Sequence, residues 1–334
     1  MADSEAVFPD PVVTANVYCH HRQDEVIHGT LAPLRREMAE TAPQGLGHLW
    51  FVRYPRRGEH LKVRIHGPAE AAPRLREMLA RSVEDAFARL APSETGERKE
   101  ARELPPLDAE DAAEGLQPDR SLLWTRYQRS HITLGGKPLL DDDRYAALFT
   151  TALAYGCDAV LAALRPNAEG RFPQGQRQAA LFKLALGGLA AAGYSPSRSA
   201  AYLAYHRDWL LRFATGRANA GAEKVRELLA QFDQRAETMA AALDPLRLAA
   251  AATLGGEMTD ALDPSDSRWR SAMGVLTGYV SRFRDDPSYQ LDPFTDDVVF
   301  SPLFKVFHGV ANQLGLNMLN EALTHHLLLQ AVAA

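Results

Sequence analysis

The stretch His48-Leu-Trp-Phe-Val-Arg-Tyr-Pro-Arg-Arg-Gly-Glu-His-Leu-Lys-Val-Arg-Ile65 contains two runs of β-branched, aromatic and basic residues. Residues 55–58 separate the runs and have the composition of a turn, which predicts two strands joined as a hairpin. Alternation along the second strand places His60, Lys62 and Arg64 on one face. Burying a row of cations without anions is costly. That face is therefore either a solvated surface, which composition alone favours, or a polar pocket for carboxylates and amide carbonyls.

Further elements around this hairpin predict an α+β domain. Apolar alternation makes Val12–Tyr18 and Ser121–Thr133 strands, and three- and four-residue spacing makes Asp24–Glu40 and Ala69–Leu90 helices. With the hairpin between them, the order β-α-β-β-α-β is that of a ferredoxin-like sheet. Residues 92–118 are rich in Glu, Pro and Ala and predict a long exposed connection.

The chain from Asp141 onward has an almost entirely helical pattern. We therefore expect an α+β region over residues 1–135, packed with a larger helical region over residues 136–334, in one compact unit. The helical segments expected in the second region are Arg144–Leu164, Gln174–Ala192, Ser197–Phe213, Glu223–Ala251, Ser265–Arg284 and Ser301–Leu329.

The composition is that of an ordinary globular protein and argues against several classes of function. Lys and Arg number 37 and Asp and Glu number 42, so the net charge of −5 gives no reason to expect nucleic acid. Eighteen apolar residues never run uninterrupted, so we expect no membrane partner. The first residues lack the basic and apolar regions of a secretory signal, and Cys19 and Cys157 do not imply a disulfide framework. We therefore expect a cytoplasmic protein.

A polar and aromatic cluster lies on the segment Ser197–Phe213. Ser199, Tyr202, Tyr205 and Trp209 recur at three- and four-residue spacing, so they can share one helix face. From the residues alone, a core-facing aromatic stripe with satisfied hydroxyl groups is the favoured interpretation. A functional cluster is the alternative.

A second polar cluster lies on Phe307–Gly315, which we expect to open the last helix. His308 and Asn312 are four residues apart and share a face, with Gln313 beside them. Three uncharged hydrogen-bonding side chains among apolar neighbours predict a buried polar cluster. That cluster is either functional or a structural buttress.

The segment Cys19–His21 and the pair His325 and His326 are the candidate metal ligands in the sequence. Adjacent residues of one element point in different directions, and neither segment has the spacing of a zinc site. Gly187 and Gly188 do not belong to a phosphate-binding pattern and predict a turn or a close-packing site. We therefore expect surface or helix-flanking histidines, with no metal and no nucleotide.

Three segments together resemble the thiopeptide-type bacteriocin biosynthesis domain, the elimination domain of class I lantibiotic dehydratases. Phe51-Val-Arg-Tyr-Pro55 with Gly58-Glu-His-Leu-Lys-Val-Arg-Ile65 is similar to its aromatic-Ile-Arg-Tyr … His-Leu-Arg-Leu-Arg signature. Tyr127-Gln-Arg-Ser-His-Ile-Thr-Leu-Gly-Gly136 is similar to Tyr-x-Pro-Glu-x-x-Arg-Tyr-Gly-Gly, and His308-Gly-Val-Ala-Asn312 is similar to His-x-x-x-Asn-Arg-Leu. The resemblance covers nearly the whole chain and implies the fold of those elimination domains.

Departures from this family pattern indicate the branch that the chain resembles. Ser130, Thr133 and Leu134 replace the Glu, Arg and Tyr of the second motif, and Gln313 replaces the arginine of the third. Elimination enzymes use arginines and a histidine to remove glutamate from glutamyl-Ser or glutamyl-Thr, so these losses fit elimination poorly. The pattern is closer to the thiopeptide pyridine synthases, which join two dehydroalanines in a formal four-plus-two aza-cycloaddition.

Resemblance to the pyridine-synthase branch implies a set of catalytic residues. Ser199, Tyr205 and Gln313 match that branch's Ser, Tyr and Gln in spacing and place, and His308 matches the family histidine. Tyr205, or alternatively His308, is expected to move the proton that makes the iminol of the reacting amide. Gln313 and Ser199 are expected to hydrogen-bond the amide oxygen. The reaction requires no metal, flavin or nucleotide, so we expect no cofactor.

The implied partner is a leader-bearing precursor peptide that contains azoles and dehydroalanines. Its leader is expected along the N-terminal sheet, and the oligomeric state is left open between a monomer and a homodimer. Two alternatives remain: a glutamate-eliminating lyase of the same family, and a non-catalytic scaffold that binds the leader. The residues expected to contact the substrate are Arg53, His60, Lys62, Arg64, Trp50, Tyr202, Trp209 and Asn312.

Overall fold

A computed structural model describes residues 8, 10–41, 47–54, 59–90, 117–127, 142–215, 220–256, 264–286 and 295–333. The described residues form two compact units. Residues up to 127 together with residues 164–173 make the N-terminal unit, and the remaining described residues make the helical unit. Residues 164–173 were expected in the helical region. They belong to the N-terminal unit instead, where the backbone N–H of Phe172 donates to Asp24 Oδ2 at 3.1 Å.

Apolar alternation builds a four-stranded antiparallel sheet in the N-terminal unit. Its strands are β1 (Val13–Tyr18), β2 (His48–Tyr54), β3 (His60–His66) and β4 (Ser121–Trp124). The spatial order β2-β3-β1-β4 confirms the predicted ferredoxin-like sheet. Of the strand predicted over Ser121–Thr133, β4 covers residues 121–124, where the ladder with β1 ends, and residues 128–133 lie outside the described residues. The predicted turn at residues 55–58 lies outside the described residues.

Helices of the N-terminal unit pack on one face of this sheet. Strand positions on that face pair apolar residues, such as Val13 with Ile65 and Ala15 with Val63, and all four are fully buried. The helices are α1 (Gln23–Val26), which runs through a π-helical turn (Ile27–Leu31) into α2 (Ala32–Thr41), and α3 (Ala72–Arg89), which follows a 3-10 turn (Ala69–Ala71). α3 presents the i, i+3, i+4 stripe of an amphipathic helix towards the core.

The opposite sheet face carries the predicted row of cations, and its burial corrects one expectation. His60 is 1% exposed and Arg64 is 4% exposed, while Lys62 is half-buried. A solvated surface was the interpretation that composition favoured, and it is wrong for His60 and Arg64. The physical reason is that these side chains have partners: the ring of His60 contacts Tyr18 and Tyr54, and Arg64 donates to the carbonyl of Val63.

The helical unit contains the helices that carry the C-terminal polar clusters. Its elements are α4 (Asp143–Ala163), α5 (Gln174–Ala191), α6 (Pro196–Ala214), α7 (Ala220–Thr238), α8 (Ala240–Leu254), α9 (Pro264–Val280) with a 3-10 turn (Ser281–Phe283), α10 (Phe300–Leu314) and α11 (Met318–Val332). α4 has the length and composition to cross a membrane, but 72% of its apolar window is buried inside the protein, as in a core helix.

Two predicted long helices are each divided in two. The expected helix Glu223–Ala251 is interrupted at Met239, and the expected helix Ser301–Leu329 is interrupted at Gly315. Gly315 has φ +77°, a left-handed conformation that ends a helix and that glycine adopts without a steric penalty. Phe307–Gly315 therefore closes α10, and the expectation that this segment opens the last helix is wrong.

Small residues allow α10 to pack closely on its neighbours. A Cβ at Gly309 would lie 2.6 Å from Leu153 Cδ2 of α4, and a Cβ at Gly188 of α5 would lie 2.8 Å from the ring of Phe307. Of the two interpretations of Gly187 and Gly188, Gly188 fits the close-packing site. α10 is consequently buried along most of its length and presents only a narrow edge near His308.

Candidate functional site

Caps fix where α6 and α11 begin, and the two helices then pack against each other. At the start of α6, Ser195 Oγ accepts from the backbone N–H of Arg198, and Pro196 occupies the first turn. At the start of α11, Asn317 Oδ1 accepts from the backbone N–H of Asn320 at 2.9 Å. Packing in this register brings polar side chains of α6, α10 and α11 together.

Glu321 of α11 is the centre of this polar cluster and is fully buried. Its Oε1 lies 2.9 Å from His206 Nε2 of α6, and its Oε2 lies 2.8 Å from His308 Nδ1 of α10. The hydroxyl of Tyr202 lies 2.9 Å from His206 Nδ1. We call these four residues the carboxylate cluster. It links a buried tyrosine, two histidines and one carboxylate in a continuous chain of hydrogen bonds.

Burial and hydrogen bonding together determine the proton positions on one side of the cluster. Burial lowers the pKa of His206 and raises the pKa of Tyr202, so both are neutral at pH 7. A neutral His206 that faces a carboxylate with Nε2 donates from that nitrogen. Its Nδ1 then accepts the proton of the Tyr202 hydroxyl. His206 is therefore held in one tautomer.

The other side of the cluster is an ion pair. Burial would raise the pKa of Glu321, but His308 and His206 together hold it well below its usual range. Burial would likewise lower the pKa of His308, but the charge of Glu321 and the hydrogen bond to it outweigh burial, and the pKa of His308 is raised. The His308 side chain remains 35% exposed. The cluster thus joins the partly exposed ring of His308 to a carboxylate at its buried end.

His325 and His326 are buried in α11, which corrects the expectation of surface histidines. The ring of His325 stacks on His206 with centroids 3.9 Å apart, and its Nδ1 lies 3.0 Å from the backbone oxygen of Glu321. Burial, followed by repulsion from His206, lowers the pKa of His325 to about 3. His326 lies on another side of α11, between Arg207 and Asp233.

His206, Glu321 and His325 each offer one atom that could bind a metal ion, and these atoms lie within 4.8 Å of one another. Two imidazoles that bind one tetrahedral ion diverge from it, whereas these two rings stack face to face at 23°. Both nitrogens of His206 already have hydrogen-bond partners, in Tyr202 and Glu321. The arrangement fits a hydrogen-bonded network better than an ion site.

Aromatic side chains line the approach to His308. The ring of Phe304 stacks on His308 at 6° with centroids 5.8 Å apart, and Trp209 contacts Phe304 at 4.4 Å. Phe213, which is 52% exposed, stacks on Trp209 at 8°. Phe213, Trp209, Phe304 and His308 therefore form a row of rings, which we call the aromatic row. It extends from solvent to the ion pair.

The structure brings only some of the expected catalytic residues close to this row. Tyr205 is half-buried and its ring contacts Phe300 and Phe304 of α10. Ser199 is fully buried in the first turns of α6, and its hydroxyl has no hydrogen-bond partner in the described part of the chain. Tyr205 thus lies near His308, whereas no described contact joins Ser199 to it.

The side chains of Gln313 and Asn312 lie in different surroundings. Gln313 is fully buried and its Nε2 donates to the carbonyl of Leu153 in α4 at 3.4 Å. Five residues on an α-helix turn through about 140°, so Gln313 and His308 cannot share a face. Asn312 is half-buried and lies four residues from His308, on the same side of α10.

The expected substrate contacts of the N-terminal unit lie on two different sheet faces. Trp50 Nε1 donates to His66 Nε2 at 3.0 Å, and Lys62 Nζ lies 3.9 Å from the centroid of Tyr54, both on the polar face. Arg53 pairs with Leu61 across the strands and so lies on the helix-covered face. There Arg53 forms a buried ion pair with Asp24 at 2.8 Å, separate from the row that includes Arg64.

Sequence reasoning missed the two central members of the carboxylate cluster, His206 and Glu321. They are 115 residues apart and lie on different helices, so no local spacing joins them. A weak signal was present, because Tyr202 and His206, like Glu321 and His325, are four residues apart on apolar helices. Pairs of this kind mark polar groups that need a partner from another helix.

A family model described as "Lantibiotic biosynthesis dehydratase C-term" matches residues 13–332. The fold is similar to that of TbtD, a pyridine synthase from thiomuracin biosynthesis, with a TM-score of 0.61 and 18% identity over 96% of this chain and 97% of that one. It is also similar to TsrL, with a TM-score of 0.51 and 16% identity over 95% and 93%.

A third similar structure is the tRNA-dependent lantibiotic dehydratase MibB from Microbispora sp. 107891. The TM-score is 0.50 at 16% identity, and the match covers 100% of this chain but 28% of MibB. No curated protein sequence matches the chain significantly. The three structural relatives are all less than 25% identical to the chain, so they establish its fold.

Proposed function

The chain belongs to the lantibiotic biosynthesis dehydratase C-terminal family, and we propose that it acts as a pyridine synthase on a ribosomal peptide. The substrate is a leader-bearing peptide with two dehydroalanines. The enzyme joins them in a formal aza-cycloaddition, closes a macrocycle, and releases water and the leader. The likeness to TbtD over 96% of this chain and 97% of that one supports this branch of the family.

The observation that carries the proposal is the ion pair of His308 and Glu321 at the end of the aromatic row. Proton transfer is the step of this reaction that needs a protein group, because the amide must become its iminol before it can serve as a 2-azadiene. His308 is half-exposed, has a raised pKa and can reach a bound peptide. This geometry favours His308 over Tyr205 as the group that moves the proton.

Binding surfaces complete the proposed role. An azole-rich peptide is flat, and Trp209 and Phe213 present stacked rings at the entrance to His308. Asn312 lies on the same side of α10 as His308 and can hydrogen-bond a peptide amide. Bringing the two ends of a large peptide ring together costs conformational entropy. A surface that holds both dehydroalanines close to each other lowers the activation free energy of ring closure by several kcal/mol. Lys62, the half-buried cation of the polar sheet face, is proposed to contact the leader.

Mass spectrometry of the products tests this function. The purified protein is incubated with a leader-bearing peptide that contains two dehydroalanines. We expect a core peptide that has lost water and the leader, together with the leader as a C-terminal amide. A matched reaction with His308→Ala should leave most of the linear peptide unconverted over the same time. Unchanged linear peptide with the wild-type protein, under conditions where the peptide binds, would overturn the proposal.

Glutamate elimination is the second candidate, and the likeness to the dehydratase MibB favours it. In that reaction a glutamyl-Ser or glutamyl-Thr ester loses glutamate and becomes a dehydroamino acid. The replacement of a family arginine by Gln313 argues against it, because the leaving glutamate then has one cation fewer. A glutamylated peptide incubated with the protein would lose the mass of glutamate if this alternative is correct.

A further inference from the structure

Both oxygens of the Glu321 carboxylate are occupied, and each is bound by a different histidine. His206 Nε2 approaches one oxygen at 2.9 Å and His308 Nδ1 approaches the other at 2.8 Å. The carboxylate is fully buried, and so is His206. A carboxylate with both oxygens so bound cannot rotate without breaking one of these bonds. Glu321 is therefore a fixed acceptor, and the orientation of the His308 ring follows from it.

We propose that Glu321 is a positioning residue that holds His308 doubly protonated, so that His308 Nε2–H serves as a proton donor and not as a base. This inference rests on the proposed function for the identity of the proton acceptor. Because Glu321 occupies Nδ1, the second nitrogen of His308 is the one left for a substrate. A catalytic group that starts as an imidazolium gives a proton in its first step.

The proton balance of this step is simple. The proton leaves His308 Nε2 for an oxygen of the bound peptide, and the electron pair of the N–H bond remains on the nitrogen. His308 becomes a neutral imidazole whose Nδ1–H still donates to Glu321. In a pyridine synthase the acceptor is the amide oxygen, and the iminol forms when the proton of the amide N–H bond is lost to solvent water. The same oxygen later leaves as water, which needs a second proton, so His308 takes up a proton from solvent between the two transfers.

The buried side of the cluster supports Glu321 as the anion. His206 is neutral and contributes a hydrogen bond without a charge. The Tyr202 hydroxyl occupies its other nitrogen, so His206 cannot turn an acceptor towards the carboxylate. Burying a lone carboxylate is costly, and the imidazolium of His308 is the cation that offsets this cost. Removing the negative charge should therefore destabilise the imidazolium.

Other titratable groups around His308 come from three helices. α6 contributes His206 and Tyr205. α11 contributes Glu321 and His325, and His325 is neutral because burial lowers its pKa. On α10 itself, Lys305 lies three residues before His308 and is buried. α4 and α5 also pack against α10, and their contacts with it include Leu153 of α4 and Gly188 of α5. Glu321 is thus the anion among the described groups that bind His308.

The test is a titration of the His308 ring by NMR in the intact protein without substrate. Histidine is isotopically labelled, and the His308 signal is identified by its loss in His308→Asn. We expect its midpoint above the ordinary value of 6.5 in the wild type. In Glu321→Gln, which keeps the shape of the side chain but removes its charge, the midpoint should fall by at least about one unit, a tenfold loss of proton affinity.

Two controls keep the titration interpretable. Glu227→Gln removes an exposed carboxylate on α7 and should leave the His308 midpoint unchanged. Glu321→Asp, which keeps the charge on a shorter side chain, should retain most of the raised affinity and serves if Glu321→Gln does not fold.

A wild-type midpoint at or below 6.5 would overturn the inference, and so would a Glu321→Gln midpoint equal to that of the wild type. The titration needs no substrate, so it stands apart from the product assay. A raised His308 midpoint without pyridine formation would support Glu321 as the positioning residue and contradict the proposed pyridine-synthase function. Pyridine formation with an ordinary His308 midpoint would support the proposed function and contradict the role of Glu321.

Discussion

At the scale of single residues, the account depends on which group moves the proton. His308 is held by Glu321 at 2.8 Å and its pKa is raised, whereas the ring of Tyr205 packs against Phe300 and Phe304. Because a general acid contributes roughly 100-fold or more, His308→Ala should reduce the single-turnover rate by about that factor. Tyr205→Phe, which keeps the ring and removes the hydroxyl, should retain a rate near that of the wild type.

Peptide binding is measured separately in both variants by fluorescence anisotropy. Equal affinities with unequal rates would place the effect on the chemical step. If Tyr205→Phe is inactive and His308→Ala turns over normally, the proton role belongs to Tyr205. If both variants are fully active, the site lies elsewhere in the chain.

Stability against acid should also depend on individual buried histidines. The pKa of His325 is about 3 in the folded protein and near 6.5 in the unfolded chain, and that of His206 is lowered as well. Below pH 6.5 the unfolded state binds protons that the folded state does not, so the free energy of unfolding falls as pH falls. His308 does not add to this decline, because a pKa that is raised in the folded state contributes stability that is retained below pH 6.5.

The check is urea unfolding between about pH 6.5 and 5.5, above the ordinary carboxyl pKa of 4.5 near which Glu321 begins to contribute. Each such histidine accounts for up to about 1.4 kcal/mol per pH unit. His325→Gln should therefore show a shallower decline than the wild type. Parallel declines would mean that His325 is protonated in the folded state, contrary to the structure.

At the scale of the elements, Arg53 and Lys62 should behave differently although both are cations of the hairpin. Arg53 pairs with Asp24 on the helix-covered sheet face, and the two side chains are 11% and 12% exposed. Arg53→Ala leaves the Asp24 carboxylate buried without its cation, which costs about 3 kcal/mol. The expected result is a lower midpoint of urea unfolding, and not the loss of peptide affinity that sequence alone had suggested.

Lys62→Ala is the matched control for this prediction. Lys62 is half-buried on the polar face over Tyr54, where its cation–π contact contributes about 1 kcal/mol or less. Its removal should leave the unfolding midpoint nearly unchanged and weaken binding of the leader peptide. Equal unfolding midpoints for the two variants would contradict the role of the Arg53–Asp24 pair.

Elements were predictable where a pattern is local. The strands β1, β2 and β3 follow from alternation and β-branched residues, and the sheet order follows from the sequence of elements. The break at Gly315 was missed because apolar helical spacing continues on both sides of it, while the left-handed φ of Gly315 and the extended Asn317 cap separate α10 from α11.

At the scale of the whole molecule, the site depends on contacts that no local pattern contains. The family histidine His308 could be identified from its motif, but its partner Glu321 and the second histidine His206 require the packing of three helices. The burial of Arg64 and His60 is likewise a property of the assembled sheet face, which composition alone misjudged.

Activity is expected to survive exhaustive chelation and dialysis. The proposed cycloaddition needs no metal, and both nitrogens of His206 are already hydrogen-bonded while its ring stacks on that of His325. The measurement is the rate of product formation before and after treatment with a strong chelator. A loss of activity that an added metal restores would show that His206, Glu321 and His325 bind an ion after all.

The most direct test of the central claim is one single-turnover reaction with two competing peptides that carry the same leader. One peptide contains two dehydroalanines, and the other carries a glutamyl-Ser ester; both are followed by mass over time with enzyme in excess. The account predicts ring closure with loss of water and release of the leader amide from the first peptide, while the second stays intact. Loss of glutamate from the second peptide, with the first unchanged, would contradict it.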